Sequence, residues 1–97
     1  MPFDIIFAPE AVEDFKSMKA HVWAAVRTAL ETHLRLVPEK VSRSRIKRLR
    51  GLRRPRYRLR VDDIRVFYDV SGTTVEVLAI VAKSEAVSWL AQFGSPE

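Results

Sequence analysis

The sequence predicts an α+β domain: two N-terminal helices packed on a small, mainly antiparallel sheet in the order β-α-α-β-β-β-β, with a short C-terminal helix. Two observations predict it. Apolar residues recur at helical spacing up to Pro38, and the spacing changes to period two from Ile46 onward. The 97 residues suit a single domain, 1–97, large enough for one modest core. A hydrophobic content of 47% is ordinary for a chain that folds.

Phe3, Ile5 and Phe7 alternate with Asp4 and Ile6 as a short first strand. Pro9 suits the first turn of a helix, and Glu10, Glu13 and Asp14 favour its positive end, although Ala8 is a poor N-cap. Val12, Phe15 and Met18 or Lys19 give that helix one buried stripe. A second helix from about His21 to Leu36 carries Val22, Val26, Ala29, Leu30, His33 and Val37, and Pro38 ends it. Glu39 to Arg45 has neither period and reads as an extended connection. Ile46 and Leu49 flank a short basic strand ending at Gly51, and Pro55 interrupts the loop that follows. Arg56 to Val61 alternates throughout, Asp62-Asp63 is a tight turn, and Ile64 to Val70 is the returning strand of a hairpin. After a Ser71-Gly72 turn, Val75 to Ala82 is nearly all apolar, as a central strand covered on both faces would be. Lys83 to Phe93 forms a last helix with Val87, Trp89 and Leu90 inward, stopped by Gly94.

Composition narrows the function. No apolar run approaches the roughly 20 residues of a membrane span, and Met1-Pro2-Phe3-Asp4 lacks the basic and apolar regions of a signal peptide. Cysteine is absent, which excludes disulfides and thiolate zinc sites. A cytoplasmic protein is the resulting expectation. Gly51, Gly72 and Gly94 stand alone rather than in a phosphate loop, and no His and carboxylate cluster has metal-ligand spacing, so neither cofactor nor metal is expected. Seventeen Lys and Arg against twelve Asp and Glu give a net charge of +5. Eleven of those bases and no acid fall between Lys40 and Arg60, leaving six bases against all twelve acids elsewhere. A single-sign block of this density suits a polyanion or an acidic partner better than a merely solvated face.

Alternation places Tyr57, Leu59 and Val61 on one side of their strand and Arg56, Arg58 and Arg60 on the other. Unpaired guanidiniums are too costly to bury, so these three are expected to line an open surface. Arg65, just past the turn, falls beside Arg60. A row of rigid Arg forks matches phosphate geometry. Cross-strand pairing with Asp62, Asp63 or Asp69 is the competing arrangement, but three acids are few for these arginines and their basic flanks.

Three segments in this region, Lys47-Arg48-Leu49-Arg50-Gly51, Tyr57-Arg58-Leu59-Arg60-Val61 and Ile64-Arg65-Val66-Phe67-Tyr68-Asp69-Val70, resemble the central signature of RelE/ParE-type toxins of bacterial and archaeal toxin–antitoxin pairs. The entry into the first helix through Ala8-Pro9-Glu10-Ala11 is similar too, so the likeness covers nearly the whole chain. The resemblance implies a type II toxin that cleaves messenger RNA on the ribosome without a metal, silenced by a cognate antitoxin in a hetero-oligomer. It implies that Arg58 and Arg60 hold the RNA backbone, that Arg65 contacts the scissile phosphate and that Lys83 matches a basic residue ending the last strand. Lys47, Arg48, Arg50, Arg53, Arg54 and Arg56 are expected to bind RNA. Two positions depart from the ribonuclease pattern. Ser84 stands where an Arg or His commonly follows the basic residue, and Trp89 and Leu90 occupy the region of a Tyr.

Cleavage by the 2′-hydroxyl needs a base, charge stabilisation and an acid. Arginines serve the second need but carry protons poorly. Glu85 is the candidate base. Tyr57 and Tyr68 fall in the inward phase, His33 lies on the helix stripe, and His21 at a helix start is topologically distant from the basic strand. Two other readings remain open: a non-catalytic inhibitor resembling the gyrase-poisoning branch, and a plain RNA-binding protein. The silencer is expected to be a peptide with acidic side chains and an apolar face.

Overall fold

A computed structural model describes residues 2–97. Strand β1 (Asp4–Phe7) leads into α1 (Pro9–Ser17) and α2 (Ala20–Ala29), which runs on into a π-helical turn, Leu30–Leu34. Then follow β2 (Ile46–Arg48), β3 (Leu52–Arg54), β4 (Tyr57–Val61), β5 (Ile64–Ser71), β6 (Thr74–Ala82), a 3-10 turn at Lys83–Glu85, α3 (Ala86–Phe93) and β7 (Ser95–Pro96). Five strands make one sheet in the order β1-β6-β5-β4-β2, antiparallel except for the β1–β6 pair. The α+β class, the two helices on a mainly antiparallel sheet and the closing helix are all as the sequence predicts.

One face of the sheet carries the core. Val26, Leu30 and Leu34 meet Leu59, Val66, Tyr68, Val75 and Val77, all with almost no exposed surface. Each such side chain contributes about 1.5–3 kcal/mol on burial. Tyr68 donates its hydroxyl to the Pro38 carbonyl (2.6 Å), and its ring stacks on Tyr57 at 5.5 Å. The bond satisfies the one polar atom that would make Tyr68 costly to bury, and burial pushes its phenol pKa up. Both tyrosines are packing groups, as their phase predicts.

Several helix positions depart from the simple periodic reading. The Arg35 N–H reaches back five residues to the Leu30 carbonyl (3.2 Å), which widens the turn. The stripe continues from Leu30 to Leu34 rather than to His33 and Val37, so Leu34 is buried and Val37 exposed. In α1, Ala11 is the buried residue and Val12 is exposed. In α3, Val87 is 81% exposed rather than inward. The pair β3–β7, a two-stranded ribbon holding the C-terminal residues beside Leu52–Arg54, was not expected from local pattern.

The opposite face is covered by α3. Phe67, fully buried and paired with Ala79 across β5 and β6, stacks on Trp89 at 5.0 Å and 8°. The Trp89 indole N–H donates to Glu10 Oε2 (2.7 Å), tying α3 to the first turn of α1.

At Phe7 strand β1 stops pairing, opposite Val77, and Asp14 takes over on that edge by accepting the Ile80 N–H (2.8 Å). Burial raises the Asp14 pKa above 3.8; the Ile80 bond opposes the shift and Glu10 adds to it. A raised folded pKa means the native state binds the proton more tightly than the unfolded chain. Stability from this group therefore falls as pH rises from 3.8 through the raised folded value. Asp14→Asn keeps an oxygen acceptor for Ile80 and loses the titration. Its melting temperature should gain on wild type as pH rises through that window and then hold a constant difference. A difference that does not change with pH, in melts from about pH 4 to pH 7, would show that Asp14 is not destabilised by its burial.

Candidate nucleic-acid interface

Strand β4 alternates as read from its sequence: Tyr57, Leu59 and Val61 are buried on the helix side, and Arg58 and Arg60 lie on the other. The hairpin register pairs Arg60 with Arg65, while β2 pairs Lys47 with Arg58. Cross-strand partners share a face, so Lys47, Arg58, Arg60 and Arg65 form one row across three strands. Asp62 takes a left-handed φ of 51° in the two-residue turn that sets this register. Lys83 follows Ala82, the partner of Ile64, and its N–H donates to the Asp63 carbonyl (2.7 Å). That bond places Lys83 at the hairpin end of the row. Glu85 is exposed on the turn beyond it, with no ion pair to Lys83 among the described residues.

The row differs in depth from the expected open surface. Arg60 is exposed, but Arg58 is half-buried and Arg65 is only 8% exposed. Arg65 folds back on its own turn, where Nη1 donates to the Asp62 and Ile64 carbonyls at 2.8 and 3.1 Å. Arg58 has a buried Nε with no hydrogen-bond partner. Burial, then the neighbouring charges of Arg65 and Arg60, lower the Arg58 pKa. Arginine nonetheless stays charged at neutral pH. Among the described residues none of these three guanidiniums lies in an ion pair. Three cations crowd one face without a counter-charge from the protein.

Of the acids that competed for them, Asp69 is used elsewhere, and Asp62 and Asp63 at the hairpin tip form no ion pair with the row among the described residues. Asp69 accepts the Arg56 main-chain N–H (2.6 Å) and pairs with Arg54 at 3.7 Å, while Arg54 also bonds Glu76 at 2.9 Å. Burial raises the Asp69 pKa, opposed by the Arg56 amide and Arg54. The basic block is accordingly divided. Lys47 joins the arginine row, Arg54 is committed to Asp69 and Glu76, and Arg48 lies on the opposite face, 5.9 Å from the Tyr57 ring. Arg50 sits in the turn before β3, and Arg56 Nε donates to the Arg53 carbonyl (3.3 Å).

Sequence reasoning did not single out Ser44 and Arg45. With Arg60 and Asp62 they line a concavity of about 190 Å3. It adjoins a larger groove of about 540 Å3 bordered by His33, Arg45 and the exposed side of α2. Arg45 lay outside any periodic stretch, and only its pairing reveals it: its carbonyl accepts the Arg60 N–H (2.8 Å). His21, distant in topology, lines a groove with Asp62 and Asp63, because the hairpin tip reaches the start of α2.

A separate groove of about 550 Å3 runs between β1, α1 and α2. Phe7, Phe15 and Trp23 line it in edge-to-face contacts at 4.9 and 5.9 Å, and Arg27 lies over Trp23 at 5.3 Å. The exposed Val12 belongs to this groove. Among the described residues no helix is long and apolar enough to cross a membrane.

The fold, two helices on one face of a mainly antiparallel sheet, recurs in chains of solved toxin–antitoxin complexes. A chain of the archaeal RelE–RelB complex from Pyrococcus horikoshii aligns with a TM-score of 0.70 at 19% identity, covering 86% of this chain and 97% of that one. A chain of the RelB–RelE antitoxin–toxin complex from Methanococcus jannaschii gives 0.65 at 21% identity, with 87% and 96% covered. The YoeB dimer from Staphylococcus aureus gives 0.61 at 18%, with 79% and 92% covered. At these identities the likeness is one of fold. No curated protein matches the chain. Residues 5–87 match the family described as ParE toxin of type II toxin–antitoxin system, parDE. The chain belongs to that family and is a type II toxin.

Proposed function

We propose that this toxin arrests growth by binding messenger RNA on the ribosome and cleaving it, and that a cognate antitoxin silences it. The observation that carries the reading is the arginine row: Arg58, Arg60 and Arg65 share one face, lack ion pairs among the described residues, and leave the buried Arg58 Nε without a partner. An unpaired buried donor costs about 1–3 kcal/mol, more when charged. A phosphate seated on the row would relieve the mutual repulsion of the three cations. Charge developing on the phosphorane then meets cations already in place. Lys47 extends the row toward the flanking backbone and Lys83 lies at its other end. Glu85 is the carboxylate proposed to take the 2′-hydroxyl proton. Proton transfer is the weaker part of the site, since Tyr57 and Tyr68 project to the opposite face. Arg50 and Arg53, both exposed, are proposed to add phosphate contacts along the strand.

The apolar groove lined by Phe7, Phe15 and Trp23, rimmed by Lys16 and Arg27, fits an antitoxin helix with an apolar stripe and acidic flanks. Solved relatives of this fold include antitoxin–toxin complexes.

The second reading is inhibition of gyrase without catalysis. The match to the ParE family favours it, as do Ser84 and Leu90 at positions where ribonuclease relatives carry phosphate-binding or proton-carrying groups. Primer extension on translated transcripts, after expression without antitoxin, separates the two. We expect cuts that disappear when ribosomes are omitted. Intact transcripts together with loss of gyrase supercoiling in vitro would establish the second reading instead.

A further inference from the structure

We propose that the cleft around Arg45 is a nucleotide subsite, holding one phosphate of an RNA strand between Arg45 and Arg60 and the adjoining base in the groove beside His33. The inference rests on the RNA-binding reading above and adds a second seat to it. The phosphate seat is the concavity of about 190 Å3 lined by Ser44, Arg45, Arg60 and Asp62. It brings Arg45, Arg60 and Ser44 to one opening with Asp62 at its edge, and neither arginine is in an ion pair among the described residues. Arg60 also belongs to the row proposed to hold the scissile phosphate. The two seats are therefore neighbours along one backbone path that turns around the end of the sheet, where the three-residue β2 leaves it open.

The seat is built before any ligand arrives. Ser42 Oγ accepts the N–H groups of Arg45 (3.1 Å) and Ile46 (3.2 Å), and the Arg45 carbonyl accepts the Arg60 N–H (2.8 Å). These bonds fix the loop that carries Arg45 against β4. Preorganisation of this kind removes part of the ordering cost of binding.

The base seat is the adjoining groove of about 540 Å3. Its floor is Ala25, Ala29 and Val61, short apolar side chains that leave room for a flat ring. Its rim is Thr28, Thr32 and His33, with Arg45 and Asp62 at the junction with the phosphate seat. An apolar floor with a few convergent polar groups suits a ligand with an apolar face and a hydrogen-bonding edge, which describes a nucleobase. Burial first, and then the charge of Arg45, lower the His33 pKa and favour the neutral ring. A neutral imidazole offers one donor and one acceptor to a base edge. The Asp62 carboxylate repels a phosphate, so it suits the base side, where an exocyclic amino group can donate to it. The subsite would make cleavage depend on the identity of a base next to the cut.

The test uses fluorescence anisotropy with the full chain and two probes: a 2′-O-methyl hexanucleotide, which lacks the attacking hydroxyl, and the same strand with abasic positions. Arg45→Ala should weaken binding of the intact strand about tenfold and reduce the salt slope by about one phosphate contact. Its melting temperature should not change, because the side chain is exposed. Thr28→Val and His33→Ala should weaken the intact strand severalfold and leave the abasic strand unaffected. Thr28 is exposed, so its variant keeps the base seat testable even if the half-buried His33 is needed for folding. Wild-type affinity and slope in Arg45→Ala, with weakened binding in Arg60→Ala, would overturn the subsite and leave the RNA reading standing. Equal losses on both probes from Thr28→Val would overturn the base seat. Failure of the wild-type chain to bind either strand would overturn the subsite, while primer extension on translated transcripts decides the ribosome-dependent reading separately.

Discussion

Arg60→Ala is expected to abolish growth arrest while melting within about a degree of wild type, and Arg65→Ala to abolish arrest and melt roughly 10 °C lower. The two residues are partners across the hairpin, yet they differ in what surrounds them. Arg60 is exposed and its side chain makes no ion pair among the described residues, so truncation falls in the range of a surface substitution, about 0.5 kcal/mol or less. Arg65 is 8% exposed and holds the Asp62 and Ile64 carbonyls. Removing a charged donor from two acceptors there costs about 2 kcal/mol. On the activity side, loss of one group that stabilises transition-state charge lowers turnover about a hundred- to a thousandfold. Growth arrest without antitoxin, scored beside thermal melts, reads both effects. Arg65→Lys keeps the charge and loses the planar fork, so it separates charge from turn support. Full toxicity in Arg60→Ala would remove the arginine row from the mechanism. An unchanged melt in Arg65→Ala would show that its hydrogen bonds are replaced by water at no net cost.

That contrast also marks what a sequence can and cannot disclose. Period two fixes which face a strand residue occupies, and a two-residue turn fixes the pairing of Arg60 with Arg65, so the row was legible from Tyr57 to Arg65. Depth was not legible. Phase says nothing about how far a neighbouring element covers a side chain, and Arg65 is buried by its own turn while Arg60 is open. The use of Arg54 depended on Asp69 and Glu76, carboxylates 15 and 22 positions away. The same limit applies to the helices. Val12 keeps helical spacing, but an apolar residue that faces a groove is indistinguishable in sequence from one that faces a core. A single π turn moved the buried position to Leu34. The β3–β7 ribbon joins strands of three and two residues, too short to carry a period. The segments that resembled the family lie mostly in the β2–β5 region, where local rules decide most, and the family match over residues 5–87 agrees with them.

Phe67→Ala is expected to be the most damaging single truncation on the arginine face, costing about 3–5 kcal/mol. Domains of this size have total stabilities of about 5–15 kcal/mol, so the variant would lose a large share of its folded population on warming. Phe67 is fully buried between Arg58, its partner on β4, and Ala79, its partner on β6, with Trp89 stacked above it. Its removal opens a cavity, unseats α3 and lets water reach the buried Nε of Arg58. The position of α3 depends on this contact because the helix has no fully buried residue of its own. Its other ties are the Trp89–Glu10 hydrogen bond (2.7 Å) and the β3–β7 ribbon that follows it. Trp89→Ala should therefore free α3 at a lower cost, about 2 kcal/mol for a half-buried ring. Native-state hydrogen exchange distinguishes the two variants. In Trp89→Ala the amides of residues 86–93 should lose protection while those of β4 and β5 keep theirs. In Phe67→Ala both sets should lose it, because the cavity lies in the sheet. Unchanged protection of α3 in Trp89→Ala would mean that the ribbon alone holds the helix and that the Phe67–Trp89 stack contributes only packing.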